Sequence, residues 1–333
     1  MYTARRARGH CPVVRTRDAD TVYGDSNYDL ILSDWKDVPG GSKRAHTLSY
    51  QLNGMEVQRL TIKEISINNP VAANTFPASE PYQLAAAAEV PPNANYQWII
   101  RRMFLGRLLD SDKIYYPDNG GFKLVELAPN VQHVQGGGAN NLIVSLKDGL
   151  LIIDAPADEG QSTWVINAAK EKYPGKPIKY LVLSHHHMDH TGGTRAYVAE
   201  GATVVIPGQA RPFFEKMIAA QHTIKPDALA KSPKPATITD VKDTMSIKDE
   251  TVEINLYNIP NPHVDGMIIA HITAPNLVWV TDLISPRGPI GRNPATVAVG
   301  NALRQHNINN ATIVGGHGTT AKQADIAQAL AAN

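Results

Sequence analysis

Ser184-His185-His186-His187-Met188-Asp189-His190-Thr191-Gly192-Gly193 follows directly on the apolar run Ile178-Lys179-Tyr180-Leu181-Val182-Leu183. The run reads as a buried strand. The segment after it packs four imidazoles and one carboxylate into the six residues from His185 to His190. Core packing asks for no such density at a strand end. Imidazole nitrogen and carboxylate oxygen are ligands that zinc and other borderline metals take, so this stretch reads as a metal site. Side chains two apart in an extended segment point the same way, so His185 and His187 can share one ion. Asp189 and His190 fall on the next part of the loop, where they can reach a second. A solvated histidine tract is the bland alternative, and the spacing His-x-His-x-Asp-His is too specific to favour it.

A catalytic pair of ions needs further ligands, and three later stretches offer them. Asn261-Pro262-His263-Val264-Asp265-Gly266 is a loop between two strands. Trp279-Val280-Thr281-Asp282-Leu283 puts a carboxylate at a strand's end, and Gly315-Gly316-His317-Gly318 puts a histidine after another apolar strand. Each lies where a strand terminates, so all can converge on one edge of the sheets.

The chain has 333 residues, enough for two domains. Apolar residues make up 43% and charged residues 19%, a globular composition with ample core. Lys plus Arg (32) nearly balances Asp plus Glu (31), which argues against nucleic acid or an anionic membrane as partner. No apolar run reaches the roughly 18 residues of a membrane helix. A small-molecule substrate is the expected partner. The basic N-terminus, Met1 to Thr16, has no apolar region behind it and so does not read as a signal peptide. That suits a cytoplasmic protein, or a periplasmic or secreted one whose export signal has been trimmed. Cys11 is the single cysteine, so neither an internal disulfide nor a thiolate-rich metal site is available.

Residues 1–20 lack periodicity and are expected to form a poorly ordered arm. From Val22 to Asn69 the signal is β: Tyr28, Leu30 and Leu32 alternate, as do Leu48, Tyr50 and Leu52, and Asn53-Gly54 marks a hairpin. Leu60 and Ile62 follow on the returning strand, and Ile65 and Ile67 continue out of phase, as at a bulge or bend. Tyr96–Leu109 reads as a helix, and Asp110–Gly121 as the loop that closes a β-rich domain spanning 21–121. This domain carries no catalytic cluster; packing, homodimerisation or one wall of a cleft are the roles open to it.

In residues 122–333 helices alternate with strands that are often wholly apolar, the pattern of sheets covered on their outer faces. Strands are expected at Leu142–Leu146, Leu150–Ile153, Thr203–Ile206, Val252–Ile259, Met267–Ile272, Leu277–Val280 and Ala311–Val314. Helices are expected at Gln161–Tyr173, with Trp164, Val165 and Ala168 inward, and at Thr194–Glu200, Pro212–His222, Ala295–Gln305 and Ala321–Ala332. Gly136-Gly137-Gly138 lacks the context of a phosphate cradle and reads as a turn entering a strand. His186 is expected to point away from any ion. Asp154 is open to two roles, fixing the tautomer of a ligand histidine or making a plain cap or turn. His271 reads as a core histidine, whereas His222, His306, His133, His46 and His10 default to the surface. Ser184 reads as a loop residue near the metals, and Phe213, Phe214 and Met217 as core.

The early Asn140-Asn141 strand, Leu151-Ile152-Ile153-Asp154, the histidine motif, His263, Asp282 and His317, in that order, resemble the metallo-β-lactamase fold superfamily over about residues 122–333. The resemblance implies a four-layer αββα sandwich with its site at one edge, here preceded in the chain by a smaller β-rich domain outside the module. It also implies that His185, His187 and His263 bind one metal and that Asp189, His190 and His317 bind a second, with Asp282 bridging. Asp282 is the bridging carboxylate of glyoxalase-II-like and lactonase-like members, where β-lactamases generally have cysteine or serine. His187 stands where the flavodiiron branch has glutamate, which disfavours oxygen reduction. With fifteen residues after Gly318, the chain is expected to lack the helical glutathione-binding extension of glyoxalase II. No stretch resembles the RNA-binding arm of tRNA-processing relatives. The implied chemistry is two zinc ions per chain, with iron or manganese fitting the same ligands, and attack on an ester or lactone first and an amide or β-lactam second. Asp189 would orient the attacking hydroxide and shuttle its proton. An iron-dependent persulfide dioxygenase is the alternative chemistry, and a non-catalytic scaffold the third class.

Overall fold

The computed structural model describes residues 3–4, 12–70, 72, 75 and 121–332. Expectations placed on Cys11, His10, the Tyr96–Leu109 helix and most of the Asp110–Gly121 boundary lie outside the described residues. The chain divides into two compact units, Met1–Ala19 with Asp25–Ile114, and Asp20–Gly24 with Tyr115–Asn333.

The first unit holds a five-stranded sheet in the order β1 to β5: Thr3–Ala4, Val13–Asp20, Gly24–Val38, Ser42–Leu52 and Met55–Thr61. Strand β2 corrects the expected arm of residues 1–20 over its last eight residues. Arg15, on that strand, clamps Asp29 of β3 with two hydrogen bonds of 2.7 Å. One fork-on-carboxylate contact of this kind ties a strand whose sequence carries no apolar alternation. The hairpin at Asn53-Gly54 joins β4 to β5, with φ of 51° and 82°, the left-handed pair that a two-residue turn of this hand requires. All seven residues of β5 are exposed. The out-of-phase Ile65 and Ile67 form no strand; residues 62–67 have no regular structure.

The second unit contains two sheets. A seven-stranded sheet has the order β12-β11-β10-β9-β8-β7-β6, with β6 at Lys123–Ala128, β7 at Val131–Gln135, β8 at Asn141–Ser145, β9 at Leu150–Ile153, β10 at Ile178–Val182, β11 at Thr203–Pro207 and β12 at Thr237–Val241. A six-stranded sheet runs from β13 to β18 in sequence order, with β13 at Thr244–Lys248, β14 at Glu253–Asn258, β15 at Ile268–Ile272, β16 at Leu277–Val280, β17 at Thr312–Gly315 and β18 at Thr320–Lys322. Helices α1 (Glu159–Lys172), α2 (Met188–Thr191), α3 (Thr194–Glu200), α4 (Arg211–Ala219) and α5 (Ala228–Lys231) come before β12, and α6 (Pro294–Gln305) and α7 (Gln323–Ala331) after β16. Among the described residues no helix is long and apolar enough to cross a membrane.

Three buried clusters define the layers. Ile143, Leu150, Ile152, Leu181, Val204 and Ile206 face outward from the first sheet onto Val165, Ile166 and Ala169 of α1, Tyr197 of α3 and Phe214 and Met217 of α4. Their neighbours Leu142, Val144, Leu151, Ile153, Val182 and Val205 face the other way, onto Ile254, Leu256, Ile268, Ala270, Leu277 and Trp279 of the second sheet. Ile269, Val278, Val280 and Ile313 turn to the far side, onto Val299, Ala302 and Leu303 of α6 and Ile326 of α7. The result is an αββα sandwich. Strands β9 and β16 are apolar and buried at every residue because both of their faces meet a layer, and full burial of one such side chain contributes roughly 1.5–3 kcal/mol.

The inward residue of α1 is Ala169, not Ala168. Strands β6, β7, β12, β13 and β18 have no counterpart in the sequence reading; their polar residues (Lys-Leu-Val-Glu-Leu-Ala, Val-Gln-His-Val-Gln) hide the pattern. Three histidines expected at the surface are buried. His46 is 5% exposed, with Nδ1 donating to Arg44 O. His222 is 8% exposed, 3.6 Å from Asp227. His133 is fully buried on β7, where Nε2–H donates to Gly315 O (3.1 Å) and Nδ1 accepts from Gln135 (2.9 Å). His271 is half-buried and faces Asn276, while His306 stacks on Tyr257 at 3.7 Å.

Candidate metal centre

Strands β9 and β10 are parallel, and so are β16 and β17, so their carboxyl ends lie together in pairs. Asp154 follows β9, the histidine motif follows β10, Asp282 follows β16 and His317 follows β17. Strand β14 runs antiparallel to β15, and β15 antiparallel to β16, so β14 ends at the same edge of its sheet and delivers His263 in the loop after it. A bond from Ile268 N to Ser184 O and another from Asn140 N to Gly316 O join the edges of the two sheets.

All seven residues singled out from the sequence meet here, in two groups. In one, His263 Nε2 lies 2.9 Å and His185 Nε2 3.2 Å from Asp282 Oδ2, with His187 Nδ1 at 3.9 Å and 3.1 Å from His263 Nε2. In the other, His317 Nε2 lies 2.9 Å and His190 Nε2 3.0 Å from Asp282 Oδ1. Those two ring nitrogens stand 3.1 Å apart, and Asp189 Oδ2 lies 3.6 Å from each. Within each group the ligand atoms all fall within 4.8 Å of one another. Tetrahedral ligands at about 2.0–2.1 Å from an ion sit about 3.3 Å from one another, which these separations bracket. His186 belongs to neither group; its ring packs beside Phe213, centroids 5.3 Å apart.

The hydrogen bonds behind the rings decide which nitrogen faces inward. His190 Nδ1–H donates to Asp154 Oδ2 (3.1 Å). His185 Nδ1–H donates to Ser184 Oγ (3.1 Å), whose own hydroxyl donates to Asp154 Oδ2 (3.0 Å). His317 Nδ1–H donates to Gly138 O (3.1 Å). Each engaged Nδ1 leaves the Nε2 lone pair directed at the centre. His185 Nε2 is buried with no hydrogen-bond partner, and the lone pairs of His190 and His317 face each other. Lone pairs and carboxylates converging in this way repel unless a cation sits among them, so the donor set fits divalent metal. Asp154, fully buried, thus fixes the tautomer of a candidate ligand histidine.

The electrostatics agree. Burial opposes charge on His190, but the Asp154 and Asp282 carboxylates overcome it and hold the imidazole at about 10. His317 is likewise penalised by burial yet raised to about 9 by Asp189 and Asp282. Burial would push the Asp189 carboxyl up; the His317 hydrogen bond and the His190 charge win and hold it at about 2. Asp282 lies well below the usual carboxylate range, the surrounding imidazoles outweighing its desolvation. His185 goes the other way, lowered to about 4 chiefly by burial. In the absence of an ion the carboxylates draw protons onto inward nitrogens, and a bound divalent ion would take the place of those protons.

The backbone is bent to achieve this. Asp154 has φ +62° and Asp282 φ +32°, where residues with a Cβ cost on the order of 1–3 kcal/mol. Leu283 N bonds back to Thr281 O across Asp282, closing the tight turn that presents its carboxylate. Thr281, buried, sets its hydroxyl 3.2 Å from His190 Nδ1 and 3.2 Å from Asp282 Oδ1. A Cβ on Gly316 would run into that threonine side chain, so the residue before His317 admits only glycine. Thr281, Gly138, Asn140 and His133 were not singled out as supports in the sequence. The signals were indirect: Thr281 stands beside Asp282, Asn140 belongs to the strand that carries the family resemblance, and Gly138 ends the glycine-rich turn.

The model of the metallo-beta-lactamase superfamily matches residues 134–317. A metallo-beta-lactamase from Hirschia baltica is 18% identical, with TM-score 0.48 over 62% of this chain and 95% of that one. The FIM-1 metallo-beta-lactamase from Pseudomonas aeruginosa, solved in its mono-zinc form, is 17% identical, with TM-score 0.48 over 64% of this chain and 95% of that one. An (R)-specific secondary-alkylsulfatase of Pseudomonas sp is 33% identical over 78 residues, 23% of this chain. The match spans 12% of that relative's length.

Proposed function

This chain belongs to the metallo-beta-lactamase superfamily of metal-dependent hydrolases, and from that premise we propose that it is a dinuclear hydrolase of a small carbonyl substrate, an ester or lactone before an amide or β-lactam. The observation that carries the reading is one carboxylate, Asp282, giving Oδ2 to one nitrogen cluster and Oδ1 to the other. His185, His187 and His263 would hold one ion, and Asp189, His190 and His317 the other, with Asp282 between them. Zinc suits this nitrogen and oxygen set, and iron or manganese takes the same ligands. When bound, such a pair supplies Lewis acidity at the substrate's oxygen and brings the pKa of water down toward about 7.

The chain's own residues do the remaining work. Asp189 directs Oδ2 at His190 and His317, and its carboxylate would orient the attacking water, take its proton and return it to the leaving oxygen. Ser184, Asp154 and Gly138 O hold the imidazoles in one tautomer, and Thr281 steadies His190 and Asp282. A sulfate ester is the second reading, brought by the alkylsulfatase relative.

Untagged protein analysed for metal and assayed on lactone, aryl ester, cephalosporin, alkyl sulfate and phosphotriester tests both readings. Two zinc ions per chain with turnover of lactone or ester is the expected result. Alkyl sulfate as the preferred substrate would favour the second reading. One iron per chain with persulfide-dependent oxygen uptake would overturn hydrolysis altogether.

A further inference from the structure

The side-chain amide of Asn140 spends both of its donors on the loop that carries His317. Nδ2 donates to Gly315 O at 2.9 Å and to Gly318 O at 2.8 Å, and the Asn140 backbone N–H donates to Gly316 O at 2.7 Å. One residue therefore grips the chain on both sides of His317. Two positions earlier, Gly138 O accepts from His317 Nδ1 at 3.1 Å, so the same short segment fixes both the backbone and the ring of this histidine. Asn140 is 4% exposed, and a buried amide with two acceptors has little freedom to relax.

We infer that Asn140 is the positioning residue for His317, and that the glycine-rich segment 136–140 sets the geometry of the Asp189, His190 and His317 group without contributing a ligand. The inference rests on the reading of His317 as a ligand. These bonds go to the carbonyls around His317 and none goes to the other four histidine ligands named above, His185, His187, His190 and His263, so the loss of Asn140 acts on one group and spares the other. The residue touches neither substrate nor ion.

Asn140→Asp keeps the shape and removes both donors, leaving a carboxylate against two carbonyls. Zinc titration of metal-free protein against a chromogenic chelator is expected to show one stepwise affinity weakened about 10–100-fold, the range typical of lost outer contacts to metal ligands, and the other unchanged. Two unchanged affinities, or two that fall by the same factor alongside apo-protein stability, would overturn the inference. His317→Ala in the same titration separates this failure from the underlying one: if it still binds two zincs, the ligand reading itself falls. Should Asn140→Asp not fold, NMR of wild-type protein labelled with 15N at asparagine decides. The Asn140 side-chain amide is expected to shift with the zinc equivalent that His317→Ala abolishes, and a shift with the other equivalent, or none, refutes the role.

Discussion

His190 is wholly buried, with Asp154 on one ring nitrogen and Thr281 across its face, whereas His187, on the other side of Asp282, is 39% exposed. The contrast extends to their neighbours. His317 is 17% exposed and its outer ring nitrogen is anchored by Gly138 O, while His263 is 31% exposed and is held from outside the centre by the backbone bond from its N–H to Asn261 Oδ1. One half of the centre is built into the scaffold and the other stands at its rim. Rings held by several partners keep their geometry, and rings at the rim leave room for solvent and for substrate. His185 bridges these characters: buried like His190, and linked to it through Ser184 and the shared Asp154.

Removing the bridge tests both halves at once and should have the largest effect. Asp282→Asn is expected to lower kcat/KM by at least about 10³-fold, on the scale of losing a preorganised charge at the reacting centre. Elemental analysis should find fewer than two metals per chain; retention of two metals and full turnover would show that the carboxylate does not couple the halves. Next comes the scaffold beneath the built-in half. Burial lowers His133 from the ordinary 6.5 to about 4, so it is neutral when folded and protonates more readily when unfolded. Stability should therefore be full above pH 6.5 and drain as pH falls toward 4, by up to about 3 kcal/mol from this group. Urea unfolding of wild type and His133→Gln across that range checks it: the wild type should lose more stability than the variant, and parallel pH profiles would refute the assignment.

Asp154→Asn should weaken metal affinity about 10–100-fold by releasing the tautomers of His190 and His185. A chelator titration that finds the exposed His187 and His263 group more affected than the buried group would reverse the comparison drawn above. The smallest effect is expected at His186. His186→Ala should keep both metals and change stability by no more than about 0.5 kcal/mol, as for a surface substitution; loss of a metal would mean the motif's middle histidine is a ligand.

How much of this could be read beforehand differs between particular residues. The strands β8, β9, β10 and β16 were legible because strands covered on both faces are dominated by apolar residues. Strands β6 and β7 were not, since Gln132 and His133 are buried polar residues whose partners, Tyr173 and Gly315 among them, are distant in sequence. The same reason hid the burial of His133; His46 and His222 contact groups two and five residues away, and their burial comes from packing that no local period announces. Strand β2 was hidden because Arg15 and Asp29 stabilise it by a cross-strand ion pair and not by an apolar stripe. Asp154 was legible as a candidate but not as a choice between two roles. Only the positions of Ser184 and His190 around it settled that.

The sequence by itself marked the candidate metal ligands: four histidines and an aspartate at a strand end, with three more donors at later strand ends. It also showed that the sheets of residues 122–333 are covered on their outer faces, because period and apolarity are local properties of the chain; the count of four layers came with the resemblance to the family. The tertiary structure decided what no spacing encodes: which nitrogen of each ring faces inward, how one carboxylate divides between two groups, and which half of the centre the scaffold holds. Those depend on carbonyls and hydroxyls supplied by residues up to 179 positions away, brought within hydrogen-bonding distance only when the two sheets close on each other.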